Sequence, residues 1–123
     1  MSKIAIIVLS STENPEAHGR LIHALHAGKE MKTAGHEVRL LFEGIGVTWL
    51  QAFKLREHPV TKGYGHLFDD LYPEIMGACN FCTNQRFQVH DEVKALGIPL
   101  LGGEGEHFSL GTLVADGYQV ITY

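Results

Sequence analysis

Lys3-Ile4-Ala5-Ile6-Ile7-Val8-Leu9-Ser10-Ser11-Thr12-Glu13-Asn14-Pro15-Glu16 is the stretch that decides the fold. Lys3 to Leu9 is almost continuously apolar and lacks the alternation of a half-exposed strand. Such a run suits a strand covered on both faces, as in a parallel sheet. Asn14 then reads as a helix N-cap, with Pro15 at the first helical position and Glu16 near the positive end of the dipole. Ala17, Leu21, Leu25 and Gly28 recur at helical spacing, Met31 follows, and Gly35 is the stop. One Lys precedes the apolar run and no small-residue cleavage pattern follows it. It therefore reads as a core strand rather than a secretory leader.

The same alternation continues along the chain. Glu37 to Glu43 is a second strand, which gives way to Gly44-Ile45-Gly46. Val47 to Glu57 reads as a helix with Trp49, Leu50 and Phe53 inward, ended by His58-Pro59. Val60 to Gly65 is the least regular part, and Gly63-Tyr64-Gly65-His66 reads as a flexible loop of the kind that borders sites. Leu67 to Tyr72 is a short helix stopped near Pro73. Ile75-Met76-Gly77-Ala78 is a short third strand that delivers Cys79. Thr83 to Leu96 reads as a helix with Val89, Val93 and Leu96 buried and Gly97 as its stop. Ile98 to Leu101 is a fourth strand, and Gly102 to His107 a Gly-rich loop. Ser109 caps a helix through Ala115, Gly117 ends it, and Tyr118 to Tyr123 is the closing strand.

Strands and helices in alternation imply a three-layer α/β/α sandwich with a mainly parallel sheet of about five strands. One domain spans residues 1–123. Ligands of such folds bind outside the carboxyl ends of the strands. The loops expected there are 10–14, 43–46, 79–82 and 102–107, with Ser11, Asn14, Gly44 and Gly103 as candidate pocket-lining residues. The order of the strands does not follow from the sequence, so neither does which loops meet.

Bulk composition removes several function classes. Hydrophobic residues make up 45% and charged residues 20% of the chain, a balance that argues against disorder. A formal charge of −4 without a basic tract is a poor match for phosphate-directed nucleic-acid binding. No apolar run approaches the ~20 residues of a membrane helix, so neither nucleic acid nor membrane is an expected partner.

Chemistry is concentrated in Gly77-Ala78-Cys79-Asn80-Phe81-Cys82-Thr83-Asn84-Gln85-Arg86, which holds both cysteines. A CxxC spacing with no secretory leader points to a reducing cytosol and to redox, sulfur or metal chemistry. Cys82 lies seven residues before Val89, two turns back on the buried stripe of the expected helix. It reads equally as a small buried hydrophobe or as a chemical group. Cys79 falls in the strand-to-helix turn, where free amides and the dipole favour a thiolate. Arg86 adds positive charge if the helix turns it that way. The competing reading of Cys79 is an unreactive loop thiol. His107 can hydrogen-bond a thiolate if its loop meets the Cys79 turn, or else stands free in solvent.

Three chemistries compete for the pair. A cycling dithiol shares only its spacing with thioredoxin, since the Trp-Cys-Gly-Pro context is missing. A zinc site needs about four ligands, so two of His66, His90 and His107 would have to join the cysteines. With no second CxxC and no His pair at finger spacing, no metal or other cofactor is expected. The third chemistry is a single persulfide-carrying cysteine. Trp49, Phe53, Phe81 and Phe87 read as core or interface residues rather than a cofactor box.

Taken together, the apolar first strand with its Asn-Pro helix start, Leu41-Phe42-Glu43-Gly44, Gly77 to Cys82, and Ala115-Asp116-Gly117-Tyr118-Gln119-Val120-Ile121 make the chain resemble the DsrE/DsrF-like family. These are small α/β proteins that include sulfur-relay subunits. The resemblance implies a homo-oligomer, commonly a trimer or hexamer, with no required cofactor. In the sulfur-relay members one cysteine carries sulfur as a persulfide. Its counterpart here is Cys79, because an Arg follows several residues later, as Arg86 does. Those members need not have a Cys82, and many relatives have no established activity. The leading expectation is a cytoplasmic protein that takes sulfane sulfur from a donor protein on Cys79 and passes it to an acceptor, with Cys82, His107 and Arg86 assisting. The alternatives are a non-catalytic ligand-binding or assembly module, and a CxxC dithiol redox protein.

Overall fold

In the computed structural model, residues 1–103 and 105–123 are described; Glu104, within the expected Gly-rich loop, lies outside them. Strand β1 (Lys3–Val8) buries side chains on both faces, with Ala5 and Ile6 fully enclosed. Asn14 caps α1 (Pro15–Thr33), its side-chain oxygen accepting the Ala17 amide at 2.9 Å. The remaining elements are β2 (Glu37–Phe42), α2 (Thr48–Leu55), α3 (Pro59–Leu71), β3 (Ile75–Cys79), α4 (His90–Ala95), β4 (Leu100–Leu101), α5 (Leu110–Ala115) and β5 (Gln119–Thr122). All strand pairs are parallel, in the order β4-β3-β2-β1-β5. The expected three-layer sandwich with five strands is therefore present.

The layers follow from the order. Each step from β1 to β4 moves the same way across the sheet, and right-handed crossovers then place α1 to α4 on one face. Ile4, Ile6 and Val8 meet Leu21, Leu25, Leu50, Phe53, Phe68 and Val93 there. The connection from β4 returns past β1, which puts α5 on the other face, where Leu113 packs with Ala5, Ile7 and Leu41. That second layer is thin: one six-residue helix, with Leu110 and Val114 at least half exposed.

Two expectations fail. Residues 60–66 are not a loop but the body of α3. His58 caps it by accepting the Val60 amide, Pro59 occupies the first turn, and Val60, Thr61, Leu67, Phe68 and Leu71 are buried. Gly63 and Gly65 each cost a helix about 1 kcal/mol, which suggested a loop. The apolar face of α3 outweighs that cost.

The helix expected over 83–96 is broken. A π-helical turn runs Cys82–Arg86, Gln88 takes a left-handed φ of 54°, and only His90–Ala95 is α-helical. The Phe87 amide reaches back to the Cys82 carbonyl and the Val89 amide to that of Thr83. Cys82, Val89 and Val93 remain buried, but no single helical stripe joins them. No helix among the described residues is long and apolar enough to cross a membrane.

Candidate functional site

Cys79 is the last residue of β3, and Cys82 begins the π turn just beyond it. β3 lies between β2 and β4, so the loops leaving those two strands flank the thiols. Register fixes the height: Phe42 pairs with Ala78, and Cys79 with Leu101. Glu43 and Gly44 follow on one side, and the Gly102–His107 loop follows on the other.

The imidazole of His107 closes the group. Its Nδ1 lies 3.1 Å from Cys79 Sγ and 3.7 Å from Cys82 Sγ. The two sulfurs and a ring nitrogen all fall within 4.8 Å of one another. Glu43 Oε1 stands 3.8 Å from the same Nδ1. On its other flank the ring tilts against Phe81, with centroids 4.8 Å apart. Both thiols are fully buried, whereas the His107 side chain is 52% exposed. The imidazole thus roofs the sulfurs. Cys79 was expected in the strand-to-helix turn; it is instead the last residue of β3 and is buried.

Local backbone chemistry holds this roof. The Phe81 amide donates to the Glu106 carbonyl at 3.1 Å, and the Asn80 side-chain amide to the Gly102 carbonyl at 3.3 Å. Gly102 has φ 88°, and a Cβ there would come within 2.7 Å of the His107 carbonyl oxygen. Only glycine fits that backbone. Gly103 accepts the Glu106 amide at 2.9 Å, so it shapes the loop.

The cysteines are not equivalent. Burial raises the Cys82 thiol to about 11, helped by the Cys79 thiol beside it and the Glu43 carboxylate; the Gly44 amide, donating to Sγ at 3.3 Å, pulls the other way. Cys82 is therefore a protonated, hydrogen-bonding thiol at neutral pH. Cys79 has the shorter approach to the imidazole, which can take a thiol proton or, when protonated, pair with a thiolate.

The structure joins Cys79, Cys82, His107 and Gly44, with Gly103 in the covering loop. It does not bring in Arg86, whose guanidinium lies over the Phe87 ring at 4.9 Å. Among the described residues Arg86 has no hydrogen bond or ion pair to the thiol group, because the π turn carries it away. His66 and His90 lie outside the cluster. Ser11 and Asn14 are also elsewhere, since β1 is separated from β3 by β2. Ser11 bonds the Glu13 amide. Asn14 lines a cavity of about 370 Å³ where the strand order reverses, between the carboxyl ends of β1 and β5. Sequence reasoning missed Glu43 and Phe81 as neighbours of the thiols. Their signal was positional: one follows a strand end directly, and the other sits between the cysteines.

No family model matches the chain, and no solved structure matches it. A curated relative is the uncharacterized protein MJ0733 of Methanocaldococcus jannaschii, 28% identical over 120 residues. The match covers 97% of this chain and 93% of the relative, so the likeness extends over the whole domain.

Proposed function

We propose that this chain is a DsrE/DsrF-like sulfur-handling protein in which Cys79 carries sulfane sulfur as a persulfide. The observation that supports this reading best is the asymmetric pair under one imidazole: Cys79 beside His107 Nδ1, and Cys82 held protonated. His107 accepts the Cys79 proton, and the thiolate attacks the outer sulfur of a donor persulfide. The donor S–S bond breaks, its electron pair leaves on the donor thiolate, and a Cys79 persulfide remains. An acceptor thiolate then attacks the terminal sulfur and releases the Cys79 thiolate. No net oxidation occurs. Because Cys79 is buried, the sulfur reaches it only when the half-exposed His107 ring turns aside.

A protonated Cys82 suits this role. A thiolate at that position would attack the inner sulfur of the persulfide, form a Cys79–Cys82 disulfide and lose the cargo as hydrosulfide. Keeping the proton on Cys82 slows that side reaction. A homo-oligomer belongs to the proposal, supported by the thin second layer around Leu110 and Val114.

The test is sulfur loading of reduced, chelator-treated protein by a small persulfide, read by intact mass. Wild type and Cys82→Ser should gain the mass of a single sulfur atom, and Cys79→Ser should gain none. No gain on wild type, or equal gain on Cys79→Ser, refutes the proposal.

A further inference from the structure

We propose that Cys79, Cys82 and His107 form a binding site for a Zn²⁺ ion. The inference does not rest on sulfur handling. It requires only that two sulfurs and one imidazole nitrogen converge on a common point. The sequence offered His66, His90 and His107 alike as partners for the cysteines; the fold brings His107, 25 residues beyond Cys82, to both sulfurs.

Geometry is the first support. Zinc bonds of about 2.3 Å to sulfur and about 2.0–2.1 Å to nitrogen give tetrahedral edges of about 3.8 Å for S···S and about 3.6 Å for S···N. The Cys82 edge to Nδ1 is 3.7 Å and the Cys79 edge is 3.1 Å, with every donor pair inside 4.8 Å. The ring must withdraw from Cys79 by roughly half an ångström to match those edges. A half-exposed side chain on a loop has that freedom.

Charge is the second support. The carboxylate of Glu43 stands 3.8 Å from the same Nδ1, and the nearest arginine in sequence, Arg86, is stacked on Phe87 instead. Apart from His107, no basic side chain among the described residues bonds to either sulfur. Zinc binding displaces the thiol protons, and the dication then balances the two thiolates it creates beside that carboxylate. Donor chemistry selects the ion, since thiolate and imidazole suit zinc, whereas calcium and magnesium require oxygen.

Bound zinc would join three segments: the end of β3, the π turn and the loop after β4. It would pin His107 over the thiols and draw electron density from the Cys79 sulfur, which lowers its nucleophilicity toward a donor. Metal-loaded protein should therefore take up persulfide sulfur more slowly than metal-free protein, and chelation should restore the rate.

The test is a titration of the reduced, metal-free full chain with Zn²⁺ against a chromophoric chelator, repeated with Co²⁺ for its spectrum. One ion per chain is expected, with thiolate-to-cobalt charge-transfer absorption and the strong visible bands of a tetrahedral site. Cys82→Ala and His107→Ala should each lower zinc affinity at least ~100-fold, more than an outer-sphere change would. His107 is half exposed, so its replacement leaves the core untouched, and circular dichroism checks that the fold persists. Absence of saturable one-to-one binding overturns the proposal, as does a cobalt spectrum without thiolate bands. Retention of affinity within tenfold in a folded His107→Ala does the same. Sulfur loading is measured without metal, and zinc binding without a persulfide. Either result can therefore fail while the other stands.

Discussion

The unequal cysteines make a quantitative prediction about alkylation. In Cys79→Ser only Cys82 can react, and burial, the largest cause of its raised pKa, is retained. The thiolate is the nucleophile, so the rate follows the thiolate fraction. Moving the thiol from 9.0 to about 11 lowers that fraction at neutral pH about a hundredfold, tenfold for each pH step. Serine removes the contribution of the neighbouring thiol, so the midpoint in the variant should lie between those two values. The assay is pseudo-first-order alkylation by iodoacetamide from pH 7 to pH 11, folded and in concentrated urea. The unfolded chain should level off near the ordinary thiol value, while the folded chain keeps rising beyond pH 9. Steric shielding scales the whole folded curve and does not move its midpoint, so the position of the plateau is the diagnostic. A folded plateau at or below pH 9 would refute the reasoning. The linked stability has a definite sign. A folded-state pKa raised above the unfolded one contributes stability that is complete below pH 9.0 and lost as pH rises through about 11. Wild type should lose this contribution across that window relative to Cys82→Ala in urea titrations.

Gly77→Ala should destabilise the chain by about 1–3 kcal/mol, the usual cost of overpacking, because a Cβ in β3 would sit 2.6 Å from both the Pro99 carbonyl oxygen and Leu101 Cγ; urea unfolding measures it, and wild-type stability would contradict the close approach of β4. If the thin α5 face is an oligomer interface, sedimentation equilibrium should give a multiple of the chain mass, and Val114→Lys should reduce it. A single-chain mass for wild type would remove the oligomer from the proposal.

Much of the fold was legible because its signals are local. Asn14-Pro15 encodes a cap whose bonds are made within four residues, and the unbroken apolar run of β1 requires two covered faces. The failures were also local, and each had a tertiary cause. Gly63 and Gly65 argued for a loop, but the helix there is held by burying Val60, Leu67 and Phe68 against neighbours distant in sequence. Residues 83–96 have helical spacing throughout. The chain nevertheless leaves the helix at Gln88, in a left-handed conformation that periodicity cannot register.

The site illustrates a different limit. Its chemical types were all visible as Cys79, Cys82 and His107, yet whether they meet depends on strand order, a global property. Had β3 been an edge strand, one of its two flanking loops would have been missing. The order β4-β3-β2-β1-β5 places it between β2 and β4, and the thiols then receive Glu43 and Gly44 from one loop and His107 from the other. The same order sends Ser11 and Asn14 to the far side of β2. The inequality of the cysteines also changes its physical basis. Helical phase put Cys82 on the buried stripe and left Cys79 in the strand-to-helix turn, but the helix is broken and both thiols are buried. What separates them is their surroundings: burial that raises the Cys82 thiol, a Gly44 amide that donates to its Sγ, and the shorter imidazole contact for Cys79. A site assembled this way also explains why no short motif describes it. Its residues are carried on three segments, and only the register of β3 with its two neighbours brings their ends to one level.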